Sequence, residues 1–422
     1  MILRARIVLP VARPPIEDGA VTIAANRITA VGRWAGLSNS PHEPVIDLGD
    51  AILLPGLVNA HCHLDYTGMA GQIEPRKGFA DWIKAMVALK NSWTNADFAR
   101  SWREGAVMLL RTGTTTVADV EAVPDLLPDA WTATPLRVFS FRELITIKSH
   151  AQAGEIVEAA ATQLAALPAA EGRVGLSPHA PYTTSPELLQ LAAREARRRR
   201  WRLTTHVAES EEEFEMFLYR HGPLFDWLKA QRDSSDCGLG SPVNHLDRQG
   251  YLDENLLAVH VNYLWRDDAS VLGLNKVSVA HCPRSHDYFR HLRFPRAELA
   301  AAGVNVCLGT DSLASTRKVR GEPLELNLFA EMKAFAAHSP DVPPATILQM
   351  ATVNAARALG RAGQIGELSP GALADLIAIP FAGPSEDALD AAIHHPGDVV
   401  ASMIDGQWAI PPGGSQADEP RR

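Results

Sequence analysis

Residues 53–65 read LLPGLVNAHCHLD, an apolar run interrupted by Pro-Gly and closed by two histidines one residue apart. A short run of this kind, bounded by a turn signal, reads as a buried strand. Side chains alternate along a strand, so His61 and His63 share a face and both imidazoles leave its C-terminal end together. The rest of the chain can be read by asking what else meets that pair.

Seven further strand candidates follow in order: TTTVADV near 115, LRVFSF near 138, RVGLSP near 175, WRLTTHV near 204, NLLAVHV near 258, KVSVAHC near 279 and VNVCLGTD near 307. Helical patterns lie between or after them, among them FADWIKAMVALKNSW, REGAVMLLRTG, ELLQLAAREARRRR and ATILQMATVNAARALG. Buried strands alternating with helices predict a parallel sheet covered by helices, and eight of them suggest closure into a (β/α)8 barrel. In that fold the chemistry sits at the C-terminal strand ends. His206 ends the fifth candidate, His260 the sixth and Asp311 the eighth. Ordinary core packing gives no reason to repeat polar residues there.

Three neutral imidazoles and one carboxylate form a nitrogen and oxygen donor set suited to Zn²⁺, with Fe²⁺ the other candidate. Such an ion can lower the pKa of water from about 15.7 to about 7. Glu209 follows His206 by three residues, where a carboxyl can shuttle protons; the surrounding run ESEEEFE also suits a solvated acidic loop.

Both ends of the chain are β-rich. ILRARIVLP, GAVTIAANRITAVG and PVIDLG open it, and ADLIAIPF and VVASMIDGQWAI close it. We expect a small β-sandwich domain from residues 1–53 and 365–412, a catalytic barrel from 54–364 and a disordered tail over 413–422. The formal net charge of −9 argues against a nucleic-acid partner. The run Arg197–Arg200 reads as the solvated end of a helix. Four scattered cysteines without a CxxC spacing suit a reducing compartment, and no long apolar segment predicts a membrane span or signal peptide. The expected location is the cytoplasm.

With these residues assembled, the chain resembles the amidohydrolase superfamily, in its cytosine-deaminase-like and triazine-hydrolase-like branch. The resemblance rests on LLPGLVNAHCHLD, GTTTVAD, SPHAPYTTSPELL, THVAESEEE, VAHCPRS, GVNVCLGTDSLAS, ATVNAARALG and IGELSPGALADLIAI, in family order from about 50 to 380. It implies His61, His63, His206 and Asp311 as metal ligands, Glu209 as proton shuttle, and His260 as a catalytic residue that is not a ligand. Binuclear members use a carboxylated lysine on the fourth strand; RVGLSPHA has none, so a single ion is expected.

SPHAPYTTSPELL is most similar to the deaminases of S-adenosylhomocysteine, methylthioadenosine and aminodeoxyfutalosine, which implies that His179 contacts substrate. A hydrogen-bonded structural histidine is the other reading. Trp82 is either a pocket residue or a buried helix aromatic. The family usually has asparagine after CPxS, and His286 stands there instead. Arg142, Arg284, Arg290, Arg293, Arg317 and Arg320 fall near strand ends or loops, where a guanidinium can bind a carboxylate. That feature tilts the expectation toward aminodeoxyfutalosine, whose far end is a benzoate. The resemblance thus implies hydrolytic deamination of an amino-substituted heterocycle by a homodimeric enzyme. Amide or chloro-triazine hydrolysis, and deamination of guanine, pterin or cytosine, are the alternatives.

Overall fold

The computed structural model of the protein describes residues 1–37, 43–74, 78–147, 149–167, 172–321 and 323–413. The tail expected over 413–422 therefore lies, apart from Gly413, outside the described residues. Two eight-stranded sheets organise the chain. One takes β1 (Ile2–Val8), β2 (Ile16–Ala24), β3 (Arg27–Arg33), β4 (Val45–Asp47) and β5 (Ala51–Pro55) from the start of the chain. The other runs through β6 (Leu57–Cys62), β7 (Thr114–Glu121), β8 (Arg137–Leu144), β9 (Val174–Pro178), β10 (Arg202–Val207), β11 (Leu256–His260), β12 (Ser278–His281) and β13 (Asn305–Leu308). β14 (Leu376–Pro380), β15 (Ala401–Ile404) and β16 (Gln407–Ile410) return to the first sheet, in which β14 pairs antiparallel with β5. The β-rich ends thus meet in one mixed sheet.

The second sheet pairs parallel from each strand to the next, and its strands are buried along almost their whole length. That is why they read as continuous apolar runs rather than alternating ones. Closure of the barrel falls on the stretch that opened the sequence reading. Cys62 bridges Asp311 in parallel fashion, and the His61 carbonyl accepts hydrogen bonds from the Thr310 and Asp311 amides at 3.0 and 3.1 Å. Gly309 permits this seam, since a Cβ there would lie 2.8 Å from the His61 carbonyl oxygen.

Two elements depart from the sequence expectation. LLPGLVNAH is not one strand: its first half belongs to the terminal sheet, and the chain enters the barrel after Gly56. A Cβ on Gly56 would collide with Thr115 at 2.1 Å, so the crossing point needs glycine. The helix expected over ATILQMATVNAARALG is two, Pro344–Met350 and Val353–Ala358. Between them the Ala351 carbonyl accepts the Val58 amide of β6 at 2.9 Å, a tertiary bond that draws the chain out of helical geometry. The arginine run ends the helix Pro186–Arg199, with Arg200 as its left-handed cap, Arg197 on Asp253, and Arg198 and Arg199 on Glu195. Among the described residues no helix is long and apolar enough to cross a membrane.

Candidate active site

β6 and β10 deliver His61, His63 and His206 to one point, and a ligand nitrogen from each lies within 4.8 Å of the others. His63 Nε2 stands 3.3 Å from His206 Nε2. His206 Nδ1 donates to the His179 carbonyl at 2.8 Å, which places its proton on that nitrogen and leaves Nε2 as a lone pair facing inward. Asp311 Oδ1 lies 3.7 Å from His61 Nε2 and 3.9 Å from His63 Nε2. Its other oxygen accepts from Ser285 Oγ at 2.7 Å and Ser315 Oγ at 3.0 Å. Asp311 has φ of +53°, an uncommon conformation outside glycine, and it turns the carboxylate back over the barrel mouth.

The electrostatics suit a cation. Burial, then His179 and His61, push the His206 imidazole down to about 3, and burial with the neighbouring imidazoles takes His63 well below its ordinary value. Burial would raise the Asp311 carboxyl, but His61, His260 and His63 outweigh it and hold it well below the usual carboxylate range. Neutral imidazoles and an ionised carboxylate are the forms a divalent metal requires. His61 Nε2 is also buried without a hydrogen-bond partner. A buried polar atom left alone calls for an occupant, so the donor set fits one divalent ion. No cysteine belongs to it, and all four cysteines are free and buried.

Glu209 sits beside this cluster. Its backbone is held at both ends: the amide donates to Glu213 Oε2 at 2.8 Å, and the carbonyl accepts from Asn262 Nδ2 at 2.9 Å. Its Oε1 lies 3.6 Å from His260 Nε2, a buried nitrogen with no hydrogen bond. Burial, then the charges of Asp311 and Glu213, raise the Glu209 carboxyl well above its ordinary value, so it is poised to give a proton. His260 itself has φ of +75°, which swings its ring toward the mouth.

The acidic run around Glu209 is not a solvated loop. Glu213 is fully buried and holds the Ala208 and Glu209 amides. Glu212 accepts from the Phe79 and Ala80 amides at 2.8 and 3.0 Å, hitching the helix Phe79–Lys90 to the loop after β10.

These groups open into a cavity of about 270 Å³. His179 and Trp82 both line it. His179 Nδ1 lies 2.8 Å from Thr183 Oγ1, while the Trp82 indole nitrogen is buried without a partner. The other two expected substrate contacts lie elsewhere. His286 is buried behind the Glu209 loop, donating to Asn262 Oδ1 at 3.0 Å. Arg142 faces a separate opening and donates to the carbonyls of Glu143 and Glu121 at 2.9 and 3.4 Å. Arg284 is tied to the Glu325 carbonyl. Arg290 and Arg317 border a neighbouring opening beyond Phe79 and Trp82. Among the described residues no arginine lines the 270 Å³ cavity.

Sequence reasoning missed Glu143 and Lys90, which do line it, and Ser285 and Ser315 behind Asp311. A signal for Glu143 existed. Phe139 and Phe141 belong to an apolar cluster shared by β6, β7, β8, β11, β12 and β13, so alternation carries Glu143 to the same face and Arg142 to the opposite one. Lys90, at a helix end, carried no such signal.

The profile of the amidohydrolase family matches residues 52–409. The 5-methylthioadenosine/S-adenosylhomocysteine deaminase of Moorella thermoacetica is 31% identical over 94% of this chain and 88% of its own length. Among solved structures, the aminofutalosine deaminase of Helicobacter pylori in complex with methylthio-coformycin superposes with a TM-score of 0.83 at 21% identity, over 96% of this chain and 99% of that one. An adenosine deaminase from Xanthomonas campestris with bound zinc gives 0.79 at 24% identity, over 97% and 92%.

Proposed function

The chain belongs to the amidohydrolase family, and from that premise we propose that it is a metal-dependent aminohydrolase releasing ammonia from an adenine-type nucleoside. One observation carries the reading: the clustered imidazoles of His61, His63 and His206 stand with Asp311 at a cavity that a buried Glu209 also lines. His61, His63, His206 and Asp311 would hold the ion, which when bound acidifies a water and makes a nucleophile available at neutral pH.

The chain's own groups handle the protons. Asp311 uses Oδ1 to accept the proton of the attacking water, its Oδ2 being occupied by Ser285 and Ser315. Water adds at the ring carbon bearing the amino group, and Glu209 delivers a proton to the adjacent ring nitrogen. His260 Nε2, free of other partners, donates to the oxygen gained by the ring. Asp311 passes its proton to the departing amino group, the hydroxyl proton returns to Glu209, ammonia leaves and the ring becomes a lactam. Trp82 and His179 flank the heterocycle.

In this reading the ion is zinc, as in the Xanthomonas structure, although iron(II) uses the same donors. The four free cysteines suit the cytoplasm, and the assembly is a homodimer. Aminodeoxyfutalosine loses the support that Arg142, Arg284, Arg290, Arg293, Arg317 and Arg320 lent it, since none of these six lines the cavity. The test is ammonia release by zinc-loaded protein from methylthioadenosine, S-adenosylhomocysteine, 5′-deoxyadenosine, adenosine, aminodeoxyfutalosine, guanine, cytosine and a pterin. Release from an adenine nucleoside, abolished in Asp311→Ala, is expected. Turnover of guanine, cytosine or the pterin alone would overturn the nucleoside reading.

A further inference from the structure

Glu143 closes β8, immediately beside the loop that carries His179, whose amide donates to the Leu144 carbonyl at 3.0 Å. Its side chain is 7% exposed, and the residue lines the cavity. Among the described residues nothing donates a hydrogen bond to the carboxylate. The nearest cation, Lys90 Nζ, lies 3.7 Å away, beyond hydrogen-bond reach, and is already donating to the Tyr66 hydroxyl. Arg142, adjacent in sequence, turns to the other face of the strand. The nearby wall is apolar, formed by Met86, Ile145 and Ile147. A carboxylate oxygen that takes no hydrogen bond from the chain keeps its acceptor capacity open to a ligand in the cavity.

The chemistry of that ligand follows from the pair. Glu143 repels an anion, and Lys90 beside it repels a cation. A neutral O–H donor satisfies the carboxylate without opposing either charge. We infer that Glu143 is a specificity residue, accepting hydrogen bonds from the hydroxyl groups of the substrate's sugar and turning away substrates with an anion at that position. This rests on the nucleoside reading above, and goes beyond it by naming which part of the substrate is read and by which group.

The test compares adenosine with 2′,3′-dideoxyadenosine on zinc-loaded wild type, Glu143→Gln and Glu143→Asp, with thermal melts to establish folding. Binding is measured in parallel by calorimetry in a Glu209→Gln background, in which turnover is suppressed. Wild type should prefer adenosine by about 10- to 100-fold in kcat/KM, the worth of hydrogen bonds to a charged group. Glu143→Gln should lose most of that preference through KM and leave the dideoxy compound within about 3-fold of wild type. Glu143→Asp, which keeps the charge, should fall between them, and it decides the matter if the glutamine variant does not fold. Equal losses on both compounds would overturn the inference and leave the deaminase reading standing. Absence of turnover with a calorimetric hydroxyl preference that needs Glu143 would do the reverse. Neither turnover nor binding of either compound would overturn both.

Discussion

At the floor of the cavity Asp311, His206 and the Glu209 backbone are held by other parts of the chain, whereas on its side wall several polar groups have no hydrogen-bond partner among the described residues. Asp311 takes hydrogen bonds from Ser285 and Ser315, His206 is set by the His179 carbonyl, and Glu209 is pinned at both backbone ends. On the wall, among the described residues, the Trp82 indole nitrogen and Gln231 Oε1 are buried without partners, and Glu143 has Lys90 at 3.7 Å but no hydrogen-bond donor. The floor keeps its geometry whatever enters; the wall is completed by what enters. Rigid support under the reacting atoms and unsatisfied groups around the rest of the ligand are what selective turnover requires.

That contrast can be broken most severely at the ion. His206→Ala or Asp311→Ala should lower kcat/KM by at least on the order of 10³-fold, several kcal/mol of transition-state stabilisation. Wild type stripped by a chelator should behave likewise and recover with zinc, which steady-state ammonia assays would check. Full activity without metal would mean that the cluster is not the reacting centre.

Next comes the proton donor. Glu209→Gln should cost about 10²- to 10⁴-fold in kcat with little change in KM. Because burial raises this carboxyl, wild-type activity should be supported below the raised value and fall as pH rises through it. A pH profile of kcat/KM on the glutamine variant should lack that alkaline limb. Should the limb survive unchanged, another group titrates there.

The support of Asp311 sharpens the comparison at smaller scale. Ser285→Ala should weaken zinc affinity by about 10- to 100-fold, measured by competition with a chromophoric chelator, since the freed oxygen leaves the carboxylate loosely aimed. The wall should respond least. Trp82, edge-on 5.0 Å from Phe289, keeps an aromatic ring in Trp82→Phe but loses the indole N–H and one of its two fused rings. A rise in KM of about 3- to 10-fold with kcat unchanged is expected, and a loss in kcat instead would move Trp82 from the wall to the floor.

The floor was legible in the sequence and the wall was not. His61 and His63 share a face by strand alternation, and His206, His260 and Asp311 follow apolar runs that could only be barrel strands. Glu143 was legible in principle, because the same alternation links it to Phe139 and Phe141. Reading Arg142 as a substrate contact ignored that rule. His286 was read as a substrate contact from its place after CPxS, but its partner is Asn262 and it does not line the cavity. The acidic run could not be resolved from composition: Glu209, Glu212 and Glu213 do three different jobs with the same side chain.

Strand periodicity, together with the family resemblance, made the barrel and the polar strand ends at its mouth legible, because these depend on spacing within a few residues. Which groups close over that mouth was decided only by the tertiary structure. The bond from the Phe79 amide to Glu212 spans 133 residues, and that from Ser285 to Asp311 joins the ends of two neighbouring strands. No local pattern encodes such contacts, since they exist only once the barrel has brought its strand ends together.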